Sequence, residues 1–148
     1  MELKFKIAAI KQVESHFALN SDFKPEKDKP IEIGYGINVT FEKRDKMVNV
    51  VVSIVSDKKT QPFTFNIATA GLFNFNKLPQ KQELEKVAKI NCASIIFPYI
   101  RESISDLTRK AGLPPFHIDP VNFINIYEEQ KKAQAKDAGK KKKAAKAR

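Results

Sequence analysis

The spacing of apolar residues changes once along this chain, and the place of that change constrains the fold more than any other feature. Up to Phe75 hydrophobic side chains recur at every second residue, the period of a pleated strand; from Pro79 they recur at every third and fourth, the period of a helix. Leu3, Phe5, Ile7, Ala9, Val13, Phe17 and Leu19 share one parity and Glu2, Lys4, Lys6, Gln12, Glu14 and His16 the other. This predicts a long first strand with one covered and one wet face. Residues 20–30 hold two prolines and several turn formers without any period, which predicts a long loop. A second strand follows, with Ile31, Ile33, Tyr35, Ile37, Val39 and Phe41 on one parity and Gly34 and Gly36 on the other.

After a charged turn, Met47 to Val55 is apolar on both parities, the pattern of a central strand covered at least in part on both sides. A turn at Asp57-Lys58-Lys59-Thr60 leads to a fourth strand from Phe63, and Ala70-Gly71 interrupts its alternation, predicting a bulge or kink at Gly71. The helical stretch carries Leu84, Val87, Ala88, Cys92, Ile95, Ile96, Tyr99, Ile100, Ser103, Ile104 and Leu107, with Pro79 near its start and Gly112 just past its end. Pro98 inside it removes a backbone hydrogen bond and predicts a kink near Ser94 to Pro98. Asp119-Pro120 supplies an N-cap and a first-turn proline for a second helix through Val121, Phe123, Ile124, Ile126 and Tyr127. The fold class is therefore α+β: a four-stranded antiparallel sheet followed by a long kinked helix and a second helix.

The charge is unevenly spread. The chain has 148 residues and a net charge of +10, from 27 Lys and Arg against 17 Asp and Glu. Residues 131–148 hold nine basic residues and one acidic, +8, so residues 1–130 hold 18 and 16, a net +2. The chain divides accordingly into a near-neutral domain, 1–130, and a basic Lys/Ala-rich tail, 131–148, that either prolongs the second helix or stays disordered. A chain of this size buries roughly 70 per cent of its unfolded surface and needs neither metal nor disulfide to hold it. The single Cys excludes an internal disulfide framework. No run of 18 apolar residues occurs, and the N-terminus alternates where a signal peptide has a continuous apolar run. A cytoplasmic location is expected.

No enzyme constellation is present in the sequence: there is no dinucleotide or phosphate-binding glycine motif, no nucleophile elbow and no zinc-protease pair. His16 falls on the polar parity of a strand, His117 in a distant loop, and Cys92 within the apolar stripe of the long helix, where it reads as a small buried hydrophobe. Neither a metal site nor a cofactor is implied. What stands out is apolar material where loops are normally polar: Phe23 in the first loop, Leu113, Phe116 and Ile118 between the helices, and Phe123, Ile124, Ile126 and Tyr127 around the second helix. Such surfaces serve oligomerisation, a client, or both.

The stretches Phe97-Pro98-Tyr99-x-Arg101-Glu102 and Pro120-Val121-Asn122-Phe123, with the spacing between them, resemble the SecB family of protein-export chaperones over about residues 3–130. The resemblance implies a homotetramer built as a dimer of dimers, with the long helices packed at its core through Cys92, Ile96, Tyr99, Ile100 and Ser103. It implies a holdase that keeps newly made precursors unfolded, without ATP, for delivery to the SecA motor and export through the Sec translocase. The client groove then falls at Phe23, Ile33, Tyr35, Phe116, Ile118, Phe123 and Tyr127, with Leu113 and Ile124 as further apolar candidates. Family members are typically acidic and recruit the motor through acids on the exposed sheet face; here the fourth-strand position is Asn66, and Glu14 supplies one acid from the first strand. The first loop is lysine-rich and lacks Trp.

Two alternatives stay open on sequence. One is a SecB-like chaperone dedicated to the antitoxin of a toxin-antitoxin system. The other rests on the tail, whose Lys140 to Lys143 run suits weak contact with nucleic acid, the ribosome or anionic lipid.

Overall fold

The computed structural model describes residues 3–56 and 60–146; the turn expected at 57–59 and the chain ends lie outside them. Four strands, β1 (Phe5–Leu19), β2 (Tyr35–Arg44), β3 (Met47–Ser56) and β4 (Phe63–Phe75), form one antiparallel sheet in the order β1-β4-β3-β2. The long loop 20–34 thus carries the chain from one edge of the sheet to the other. A long helix follows, composed of α1 (Lys81–Lys86), a π turn (Val87–Cys92) and α2 (Ala93–Lys110), and then α3 (Phe123–Lys146).

The core lies between the helices and one face of the sheet. Val48, Val50, Val52 and Ile54 of β3 and Phe73 and Ile67 of β4 are fully buried there, against Ala93, Ile96, Ile100 and Ile104 of α2. The position of β3 at the centre matches its doubly apolar sequence, although its outer face is only half-covered and Val55 is exposed.

Gly71 interrupts nothing. β4 runs without a register shift from Phe63 to Phe75, and Gly71 sits on its helix-facing side, where a Cβ would lie 2.7 Å from Phe73 Cε2 and 2.9 Å from Ile96 Cδ1. The glycine is there for close approach of α2, not for a bend. The irregularity falls instead in β1, with register shifts between Ile7 and Ala9 and between Gln12 and Glu14. Each extra residue flips the parity. The single apolar parity read from the sequence therefore breaks mid-strand: Ile10 and Gln12 pair with Gly71 and Thr69 on the helix side, while Val13 is left in a bulge, 52% exposed.

The long helix also departs from regularity before Pro98, in the π turn, whose wider winding ends six residues ahead of that proline and just before α2. α3 begins three residues after the proline expected to open it. Asn122 Oδ1 accepts from the backbone N–H groups of Ile124, at 3.0 Å, and Asn125, at 3.3 Å, so Asn122 rather than Asp119 is the cap. Among the described residues α3 runs through Lys146.

Candidate binding clefts and the family of the chain

Two open clefts flank the segment that leads into β2, and they share Glu32. The first, of about 800 Å³, is lined by residues of the crossover loop, Phe23, Pro30 and Ile31 among them, and by Thr60 and Gln61 in the turn before β4. The second, of about 430 Å³, is lined by Ile33, Gly34 and Tyr35 on one side and Phe116, His117 and Asp119 on the other.

The wall between the clefts is held by an amide. Gln61 is 2% exposed, its Oε1 accepts from the Gly34 N–H at 2.8 Å, and its Nε2 donates to the Gly34 carbonyl at 3.3 Å. Asn20 Nδ2 donates to the Gln61 carbonyl at 3.0 Å. A side-chain amide thus takes the role of a neighbouring strand at Gly34, just before β2. This also explains why β2 starts at Tyr35 and not at Ile31 as its alternation predicts.

The opposite wall is pinned to α2 at two points. Thr108 Oγ1 accepts from the Phe116 N–H at 2.9 Å while donating to the Ile104 carbonyl at 2.9 Å, and Arg101 Nε donates to the Ile118 carbonyl at 2.9 Å. The apolar interhelical loop is therefore ordered by hydrogen bonds to the helix before it. Beneath the second cleft the rings of Tyr35 and Phe116 meet edge-on with centroids 6.5 Å apart, Phe116 meets Phe63 at 5.9 Å, and Phe63 stacks on Phe17 at 5.4 Å. Burial, and then the Asp119 carboxylate, push the Tyr35 hydroxyl above its ordinary pKa.

The client candidates do not all reach these clefts. Phe23 lines the first, and Ile33, Tyr35 and Phe116 line the second. Leu113 is half-buried against the core. Ile118 is fully buried, Phe123 packs edge-on against Phe97 at 5.5 Å, and Tyr127 is 6% exposed with Lys131 over its ring. These three hold the second helix down and offer no surface in this conformation; Ile124, half exposed, is outside both clefts. Sequence reasoning missed Ile31, 53% exposed in the first cleft, and Gln61, which builds the wall. A lone glutamine after a turn gives no signal of that role.

The candidates for self-association divide similarly. Cys92, Ile96 and Ile100 have no exposed surface because they fill the seam between the long helix and the sheet, and in this conformation they leave none for a second subunit. Burial pushes the Cys92 thiol up to about 12. Tyr99 and Ser103 lie outward, in a shallow cleft with Ile10 and Gln12 of β1, where Gln12 Nε2 donates to Ser103 Oγ at 3.2 Å. On the outer face of the sheet Asn66 Nδ2 donates to Glu14 Oε1 at 3.2 Å, and His16 Nε2 lies 3.5 Å from the same oxygen.

Among the described residues no group of three or more His, Cys, Asp or Glu is placed to hold a metal ion, and no helix is long and apolar enough to cross a membrane. Fold and site together give an antiparallel sheet and a long irregular helix with two open clefts, the second floored by aromatic rings. The sequence model of the family described as preprotein translocase subunit SecB matches residues 6–134, and the chain belongs to that family.

Similar curated proteins include the protein-export protein SecB of Methylobacillus flagellatus, 37% identical over 107 residues that cover 69% of this chain and 66% of the relative. That of Thiobacillus denitrificans is 39% identical over 92 residues, 62% of this chain and 59% of the relative. The matched stretch thus spans less than two thirds of the length of either. Among solved structures the chain resembles a SecB-like chaperone of Mycobacterium tuberculosis in complex with a ChAD peptide from the HigA1 antitoxin. The TM-score is 0.67 at 20% identity, over 79% of this chain and 90% of that one.

Proposed function

We propose that the protein is a non-enzymatic, ATP-independent holdase that binds unfolded precursor proteins in the cytoplasm and keeps them competent for export through the Sec translocase. The observation that carries this reading is the pair of clefts meeting at Glu32, one floored by the Tyr35–Phe116 pair and the other bordered by Phe23 and Ile31. An extended client lies along such a path with apolar side chains in the clefts. Each contact is weak, and a long client engaging several subunits gains through effective concentration.

Our reading makes the active species a homotetramer, a dimer of dimers. The support is β1, a 15-residue edge strand with Ile7 and Val13 exposed, next to Tyr99 on α2, 47% exposed. We assign contact with the SecA motor to Glu14. With Lys6, Lys11 and His16 as its neighbours on β1 and Asn66 in place of an acid on β4, we expect that contact to be weaker than in an acid-rich relative.

The test is suppression of aggregation of an unfolded precursor, without nucleotide, at one tetramer per client. Tyr35→Ala with Phe116→Ala should lower it several-fold at a temperature where the variant, which also loses ring packing against the core, is still folded, whereas absence of suppression by the unaltered protein refutes the holdase reading. The export names of the two curated relatives favour general clients over a single antitoxin. Recovery of one antitoxin alone in a pull-down from the native cell reverses that preference.

A further inference from the structure

The holdase reading leaves the distal part of α3 without a task. The helix is tied to the long helix through Phe123, whose ring meets that of Phe97, and Lys131, whose Nζ lies 3.5 Å from Glu85 Oε2. Residues 131–137 are exposed, and the family match ends at 134. Over residues 131–146 the helix runs about 22 Å at 1.5 Å per residue.

At about 100° per residue, positions 131, 132, 136, 140, 142, 143 and 146, all lysine, fall within one half of the helical wheel, and of the lysines in this segment Lys141 alone falls outside it. The other half holds Ala133, Gln134, Asp137, Ala138, Ala144 and Ala145. Lys132, Lys136 and Lys140 follow one another at four-residue steps, as do Lys142 and Lys146, so the like charges oppose the helix they sit on. Gly139 weakens it further.

We infer that this segment is a binding helix for the phosphate backbone of nucleic acid, read without regard to sequence. A helix that lies on a membrane needs large apolar residues opposite its charges, and here the apolar residues of that face are all alanine, beside Gln134, Asp137 and Lys141. With no apolar or aromatic contribution, affinity comes from charge alone, and the partner of highest linear charge density with condensed counterions to release is favoured. Neutralising the lysines also relieves their repulsion, so binding makes the helix harder to melt.

The experiment titrates the full chain with an unstructured RNA of about 30 nucleotides at several salt concentrations. Parallel arms use DNA of equal length and phosphatidylserine vesicles. If about five phosphates are neutralised, the log–log salt slope is about −3.5 and affinity falls roughly a hundredfold between 50 and 200 mM salt. Replacing Lys140, Lys141, Lys142 and Lys143 by Gln should lower affinity at 50 mM at least tenfold and flatten the slope, with the melting temperature unchanged; replacement by Arg should keep both. Circular dichroism should show the helical signal persisting to higher temperature when RNA is present. No RNA binding at 50 mM, an unaltered affinity in the Gln variant, or tighter binding to the vesicles than to RNA overturns the inference.

Discussion

Gln61 pairs with Gly34 through both atoms of its side-chain amide, at 2.8 Å and 3.3 Å, and so reproduces a rung of a sheet with a side chain. Gln61→Ala strands the N–H and C=O of Gly34 between the two clefts. We expect a loss of about 1–2 kcal/mol in urea unfolding. A larger relative loss in client affinity should accompany it, because the wall itself loosens.

Gly71→Ala puts a methyl group into space that Ile96 and Phe73 already fill. In a packed core this should cost about 1–3 kcal/mol. Ile96→Val removes the Cδ1 atom in the way, so the double variant should lose less than the sum of the single losses. Strict additivity in a double-mutant cycle contradicts the proposed contact.

Cys92 sets an alkaline limit. Its thiol is held neutral up to about 12 in the folded chain, against 9.0 when free, so only the unfolded chain ionises between those values. Stability therefore falls as pH rises through that window. Cys92→Ala should remove that component of the slope, measured as the difference between the two proteins' unfolding free energies. Labelling by a thiol reagent at pH 8 should run no faster than the opening of the fold.

Tyr99 and Ile7 are exposed, and on the proposed reading they lie at a subunit interface. Tyr99→Lys with Ile7→Lys should shift the sedimentation coefficient toward a smaller species at micromolar protein. A change in oligomer size without loss of strand content supports the assignment, while an unchanged tetramer, or a monomer in the unaltered protein, counts against it.

Ile118→Ala separates packing from binding. Its fully buried side chain gives it the cost of a core truncation, about 2–5 kcal/mol, where Tyr35→Ala at the cleft acts mainly on the client.

The order of elements was readable because periods of two and of three to four are written by burial itself. β3 shows this best, since its apolar residues on both parities place it at the sheet centre. The bulges of β1 were not readable, because an extra residue changes the parity without changing composition, and the exposed Val13 looks like any core valine in sequence. The same blindness applies to α2: the stripe containing Cys92, Ile96 and Ile100 announces burial but not whether the sheet or a second subunit does the burying. Phe23 and Phe116 stand out as aromatics in loops and reach the clefts, Tyr35 is pointed to only by the family resemblance, and Ile118 and Phe123, apolar in the same region, turn inward.

The strand order has a consequence for synthesis. β1 pairs only with β4, so Phe5 waits for Phe75 and Leu19 for Phe63 before either finds its neighbour. At ribosomal speeds of about 5–20 residues per second, the first strand spends roughly 4 to 14 s outside the ribosome before the last of its partner is made. During that interval the nascent chain of this protein has the exposed apolar strand that its finished form is proposed to shelter in others.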